Sequence, residues 1–204
     1  MKPFEKLPIE KQARIVNASI LEFAEKDYET ASMNKIVDKA GISKGSLFNY
    51  FKSKSSLYNH IYQLALGEVK AYLQKVRDET AELPFDVRMA KIVDSGIQFI
   101  TQHPRLARIY FRLIYSGDSP HRKKVISELQ SMSDKYLGGI IQDAMDRNEL
   151  NAQLDKTQAV FFLDSVLNRF LKDYHETLEL GENNRFNKEK WVKGITEFFT
   201  KGFK

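Results

Sequence analysis

GISKGSLFNYFKSK, residues 41–54, decides how the rest of the chain is read. Its fourteen positions hold two glycines, three serines and three aromatic residues, with lysine at 44, 52 and 54. Gly41 lets the chain reverse sharply after a helix. Ser43 is a helix N-cap residue, and Leu47 and Phe51, four positions apart, turn inward on the short helix it opens. The outer face of that helix is small and polar, with Lys44, Gly45, Ser46, Asn49 and Tyr50. Upstream, Ser32 caps another short helix whose inner side is Met33, Ile36, Val37 and Ala40. Two short helices joined by a glycine-containing turn, the second one polar outward, describe a helix-turn-helix. Gly45 and Ser46 are slim enough for the backbone to approach a DNA groove. Ser43, Lys44, Ser46, Asn49 and Tyr50 present donors to it, while Lys52 and Lys54 either meet phosphates beyond the helix or form an ordinary solvated face.

Working outward, the whole chain reads as helices. The first begins at Pro8, carries Ile9, Ala13, Val16, Ile20 and Phe23 on one expected face, and ends near Lys26 and Asp27. Ser53 caps a long fourth helix with the stripe Tyr58, Tyr62, Leu66, Val69, Leu73 and Val76. The breaks ETAELP, SGDSP, NELNAQLD and GENNRFN then separate further amphipathic segments, and Pro104 opens a shorter one. On the last helix Trp191, Ile195 and Phe198 form one side and Val192, Phe199 and Phe203 the other. No β-alternating run, internal repeat or low-complexity segment interrupts them. The expectation is an all-α protein of about nine helices.

Composition narrows the function classes. Apolar residues make up 42% and charged residues 29%, which suits a globular protein rather than a disordered one. Cysteine is absent, which excludes disulfides, thiol catalysis and Cys-ligated zinc. His60, His103, His121 and His175 have no metal-ligand spacing, and no phosphate loop or HExxH occurs. The match of Ser32–Lys35 to SxxK lacks its companion motifs, so the expectation is a non-enzyme without cofactor or metal. The start of the chain has no signal-peptide core and the longest apolar run, Ala159–Leu163, cannot span a bilayer. The expected compartment is the cytoplasm, with no membrane partner. Residues 1–55 hold ten Lys and Arg against seven Asp and Glu, so they carry +3 of the chain's net +5. That balance suits a polyanion partner.

The stretch IVNASILEFAEKDYETASMNKIVDKAGISKGSLFNYFKSKSSLY resembles the N-terminal DNA-binding domain of the TetR family of bacterial transcriptional regulators. The match runs over about residues 9–63, and its parts follow in order: FAEKDY, the serine before the second helix, KAGISKGSLFNYFKSK and the start of helix four. The resemblance implies a homodimer with a three-helix DNA-binding domain over 1–54 and a helical effector-binding and dimerisation domain over 55–204, helix four linking them from about 54. It implies binding to double-stranded DNA at a palindromic operator and release by a small molecule. The residues it assigns to DNA are Ser32, Ser43, Lys44, Gly45, Ser46, Phe48, Asn49, Tyr50 and Lys54. Phe48 stands where the family often has tyrosine, which removes a phosphate hydrogen bond, and Asp27 stands where glycine is usual, a strained helix end.

The second domain offers fewer signals. Its aromatics could line a cavity for a mostly apolar effector with one polar or charged end. The expected lining is Tyr62, Phe99, Tyr110, Arg112, Tyr115, Phe161, Asp164 and Asn168, with Asp94, Asp164 and Asn168 either reaching solvent or meeting the ligand. Arg105, Arg108 and Arg112 could bind an acidic effector, face water or face the DNA-binding domain. The last two helices are apolar on two sides, so Phe162, Val166, Phe170, Trp191, Ile195, Phe198 and Phe199 are the expected dimer surface. The alternative function is a non-enzymatic dimeric helical adaptor that binds protein partners without specific DNA recognition.

Overall fold

Capping chemistry sets the helix boundaries. In the computed structural model, which describes residues 4–115, 122–182 and 186–204, a 3₁₀ turn at Phe4–Lys6 precedes nine α-helices among the described residues. They are α1 (Ile9–Glu25), α2 (Met33–Ala40), α3 (Lys44–Tyr50), α4 (Lys54–Thr80), α5 (Phe85–Gln102), α6 (Pro104–Tyr115), α7 (Arg122–Asp146), α8 (Lys156–Glu179) and α9 (Lys188–Gly202). The SGDSP break, His121 and residues 183–185 of the GENNRFN break lie outside the described residues. Ser53 caps α4 reciprocally: the Ser56 N–H donates to its Oγ at 3.1 Å and its own N–H donates to Ser56 Oγ at 3.2 Å.

The helices form two compact units, one of Met1–Glu68 with His103–Arg122 and one of Val69–Gln102 with Lys123–Lys204. In the first unit α1 packs on α2 and on α6, and α2 packs on α3. The buried row of α1 is Ile15, Ala18, Ser19, Glu22 and Phe23. This corrects the expected face, since Ile9 is 83% exposed and Ala13 is also exposed. Two polar residues occupy the true face, and each has a partner there. Ser19 Oγ donates back to the Ile15 carbonyl at 2.7 Å, and Glu22 Oε1 accepts the Ser32 N–H at 2.8 Å. The second of these ties α1 to the start of α2. Asp27 is not strained either: α1 ends at Lys26 in an extended conformation, and Asn148 is the one described non-glycine residue with positive φ.

The second unit is built on a core of Phe85, Met89, Val93, Ile141, Leu163 and Phe199, among others. There α5 packs against α8 and α9. Gly96 permits a close approach of α5 to α8, because a Cβ at that position would lie 2.7 Å from Leu171 Cδ1. The two faces of α9 divide differently from the sequence expectation. Ile195, Phe199 and Phe203, spaced by four, are buried together, whereas Trp191 and Phe198 are exposed. Asp94 and Asp164 also find protein partners. Asp94 accepts from Lys188 at 2.5 Å and Gln98 at 2.7 Å, and Asp164 accepts from Ser133 at 2.5 Å.

Candidate nucleic-acid interface

The α2–turn–α3 corner is held by backbone and capping hydrogen bonds, which leaves its outer side chains clear. Ser32 Oγ accepts the Lys35 N–H at 3.4 Å and opens α2. Gly41 closes it in the left-handed conformation, φ +64°, which a side chain would disfavour. The next N–H, of Ile42, returns to the Val37 carbonyl at 3.1 Å, completing a Schellman-type stop. Ser43 Oγ then accepts the Ser46 N–H at 3.1 Å, and the two serine hydroxyls lie 2.9 Å apart. The hydroxyls of Ser32, Ser43 and Ser46 therefore shape the corner as well as face its surroundings. Leu47 is fully buried and Phe51 nearly so, which fixes the rotation of α3 about its axis.

That rotation leaves Lys44, Gly45, Phe48 and Asn49 exposed, with Ser46 and Tyr50 half-buried beside them. Gly45 has no positive φ, and a Cβ there would meet nothing within 4 Å. The protein's own packing makes no demand for glycine at 45.

Tyr50, an outer-face donor by sequence, also has packing partners of its own. Phe4 lies edge-on to the Tyr50 ring at 6.3 Å, Lys11 Nζ donates to the Tyr50 hydroxyl at 3.4 Å, and the ammonium sits 5.7 Å from the ring centroid. Phe4 also packs on Phe51 at 4.9 Å and on His60 at 5.0 Å, where burial lowers the His60 pKa. Lys54 is similarly steadied, donating to the Glu29 carbonyl at 2.9 Å over the Tyr28 ring at 4.8 Å. Phe4, Lys11 and Tyr28 were not singled out from sequence. Phe4 stands alone in a short polar lead-in, and nothing local marks its distant partners. Phe4→Ala is expected to weaken DNA binding several-fold in the native chain but to add little once Tyr50→Ala is present. Affinities of the two single variants and the double variant check this coupling.

Among sequence families, that described as "Bacterial regulatory proteins, tetR family" matches residues 15–61, and that described as "Tetracyclin repressor-like, C-terminal domain" matches residues 85–199. The chain belongs to the TetR family. It is a DNA-binding transcriptional regulator with a helix-turn-helix head. The Transposon Tn10 TetC protein of Escherichia coli is 33% identical over 147 residues, covering 68% of this chain and 67% of that one. A solved TetR family regulator from Chloroflexus aurantiacus J-10-FL is 26% identical, with a TM-score of 0.74, 98% of this chain covered and 95% of that one. The fold is also that of the transcriptional regulator FadR from Bacillus subtilis, solved in complex with stearoyl-CoA. That likeness has 16% identity, a TM-score of 0.74, and coverage of 94% and 99%.

The remaining expected site residues of this TetR-family chain fall into distinct places. Tyr62, Tyr110, Arg112 and Tyr115 belong to the first unit, and Phe99, Phe161, Asp164 and Asn168 to the second. Tyr62 is fully buried and Phe99 buried, while Tyr115 and Phe161 are exposed. Asp164 and Asn168 are brought together, Asn168 Nδ2 donating to the Asp164 carbonyl at 3.0 Å. Two of the three α6 arginines contact the end of α1. Arg108 Nη1 donates to the Ala24 carbonyl at 3.3 Å, and Arg112 Nε lies 3.8 Å from Asp27 Oδ1. Of the expected dimer residues, Phe170, Ile195 and Phe199 are buried within their own unit. Phe162, Val166, Trp191 and Phe198 are exposed, and Phe161 joins them. Among the described residues no helix is long and apolar enough to cross a membrane.

Proposed function

We propose that this regulator is a cytoplasmic repressor that sits as a homodimer on a palindromic operator and leaves it when a small, mostly apolar effector binds. The observation that carries the DNA half is the outward face of α3. Lys44 and Asn49 are exposed on either side of Gly45, whose missing side chain serves no internal packing. Lys44 and Asn49 read base edges, where one good bidentate contact is worth about 1–3 kcal/mol of discrimination. Lys54, Ser32 and Ser43 face phosphate and set register rather than sequence. The dimer is supported by the exposed aromatic residues of α8 and α9, and the effector by the fold shared with a FadR solved with stearoyl-CoA. A shift of α6 would reach the head through Arg108 and Arg112, which grip the C-terminal end of α1.

Selection of bound DNA from a random library by the purified protein tests the reading. The expected product is a palindrome with half-sites about 34–36 Å apart or a multiple of it. On that DNA, Lys44→Ala or Asn49→Ala is expected to relax preference at one position per half-site, and Lys54→Ala to weaken all sequences alike. Recovery of no enriched sequence sinks the operator reading. A Lys54→Ala protein with altered preference beside an unaltered Lys44→Ala protein overturns the division of roles.

A further inference from the structure

Arg88 stands on the first turn of α5 between Phe85 and Met89, both core residues, where a charge is costly unless it is fully paired. Its side chain is 3% exposed. Nη1 reaches Asp143 Oδ2 at 3.2 Å, but that carboxylate is 56% exposed and leans toward water, while the buried Arg88 Nε has no hydrogen-bond partner. A second orphan lies on α7. Tyr136, seven residues before Asp143 and so on the same face, packs on the same core with its hydroxyl shut from solvent and unpartnered. Burial pushes its pKa up to about 12, and the Arg88 and Arg77 guanidiniums are close enough to pull against that rise. On α4, Arg77 is itself balanced by Asp78 at 3.0 Å.

Folded proteins pair nearly all buried polar groups, and each exception calls for an explanation, a bound water, ion or ligand among them. Here two buried donors, an N–H on α5 and an O–H on α7, lie within electrostatic reach of one another and lack an acceptor. We propose that Arg88 and Tyr136 anchor the carboxylate of a small organic acid, whose apolar body lies against the core around Phe85, Met89 and Ile140. Asp143 already faces this guanidinium, so a second, doubly charged group such as a phosphate monoester would stay largely uncompensated there, and a singly charged carboxylate much less so. The inference rests on the effector reading above and names the charged end of that effector. Arg108 and Arg112, which the sequence leaves open between an acidic ligand, water and the DNA-binding domain, contact Ala24 at the end of α1 and Asp27 just beyond it.

Calorimetric titration of the purified full chain decides it. The probes are straight-chain acids from hexanoate to hexadecanoate and phenylacetate, each beside its alcohol and its monoalkyl phosphate. At least one acid is expected to bind, about tenfold or more tighter than its alcohol, the value of satisfying buried donors. Arg88→Met, which fills the same volume without a charge, is expected to bring acid and alcohol to equal affinity. Tyr136→Phe, which removes only an oxygen, is expected to weaken the acid several-fold and leave the alcohol unchanged. No acid bound, acid and alcohol bound alike, phosphate bound tightest, or a preference surviving Arg88→Met each overturns the proposal. Operator release is read separately. An acid bound through Arg88 that leaves DNA in place overturns the release reading alone, and release by neutral compounds with no acid bound overturns this one alone.

Discussion

A chain carrying both Phe162→Asp and Phe198→Asp is expected to sediment as a monomer and to bind its operator on the order of 10²–10⁴-fold more weakly. Phe162 is 51% and Phe198 66% exposed, so neither is a buried member of its own protomer's core. Phe161, Val166 and Trp191 add further exposed apolar side chains on α8 and α9. Covering the exposed part of one such ring in a dimer contributes about 1–2 kcal/mol. A carboxylate in its place would be buried without a partner at each of the two symmetry-related sites. The loss at the operator follows from geometry rather than from any change in the head. Two linked heads convert the second half-site contact into an intramolecular event, and a lone head loses that gain. Thermal unfolding of the variant protomer should match the native chain at low concentration. A variant that remains dimeric places the interface elsewhere.

The legible parts of this fold are those whose causes are local. Ser32, Gly41, Ser43 and Ser53 each answer a need of the two or three residues beside them, a free N–H or a left-handed turn, and all four stand where the sequence puts them. The corner and the outward face of α3 were readable for that reason. What was not readable depends on partners far along the chain. Glu22 is buried because Ser32 needs an acceptor, so a hydropathy stripe drawn through α1 chose Ile9 and Ala13 over the real face. The sequence leaves Asp94 open between solvent and a ligand, because its partner Lys188 comes from the distant α9. Tyr50 looked unsupported because Phe4 and Lys11 come from ahead of the motif. Arg88 was passed over for the opposite reason: an arginine is assigned to the surface by type, and only its neighbours Phe85 and Met89 hinted at burial.

Leu47→Ala is expected to lower the stability of the head by about 2–5 kcal/mol, read as a reduced urea midpoint. Leu47 is completely buried, and it is the buried anchor within α3, so the cavity it leaves lies beneath the outward face of that helix. A head of this size has little stability to spare, and a loss of that order leaves a large fraction unfolded near physiological temperature. Operator binding then falls because folded heads are scarce, not because a contact is missing. Lys44→Ala supplies the contrast. Lys44 is exposed on the same seven-residue helix, and its truncation should leave the midpoint within about 0.5 kcal/mol of the native value while still relaxing sequence preference. Adding sucrose or another excluded osmolyte separates the two defects, since it restores burial but supplies no base contact. Binding by the Leu47→Ala protein should recover with its folding and keep the native sequence preference, whereas the Lys44→Ala protein should gain nothing. A Leu47→Ala midpoint equal to the native one would show that α3 is positioned by something other than this side chain, leaving Phe51 and the Ser43 cap to hold its rotation.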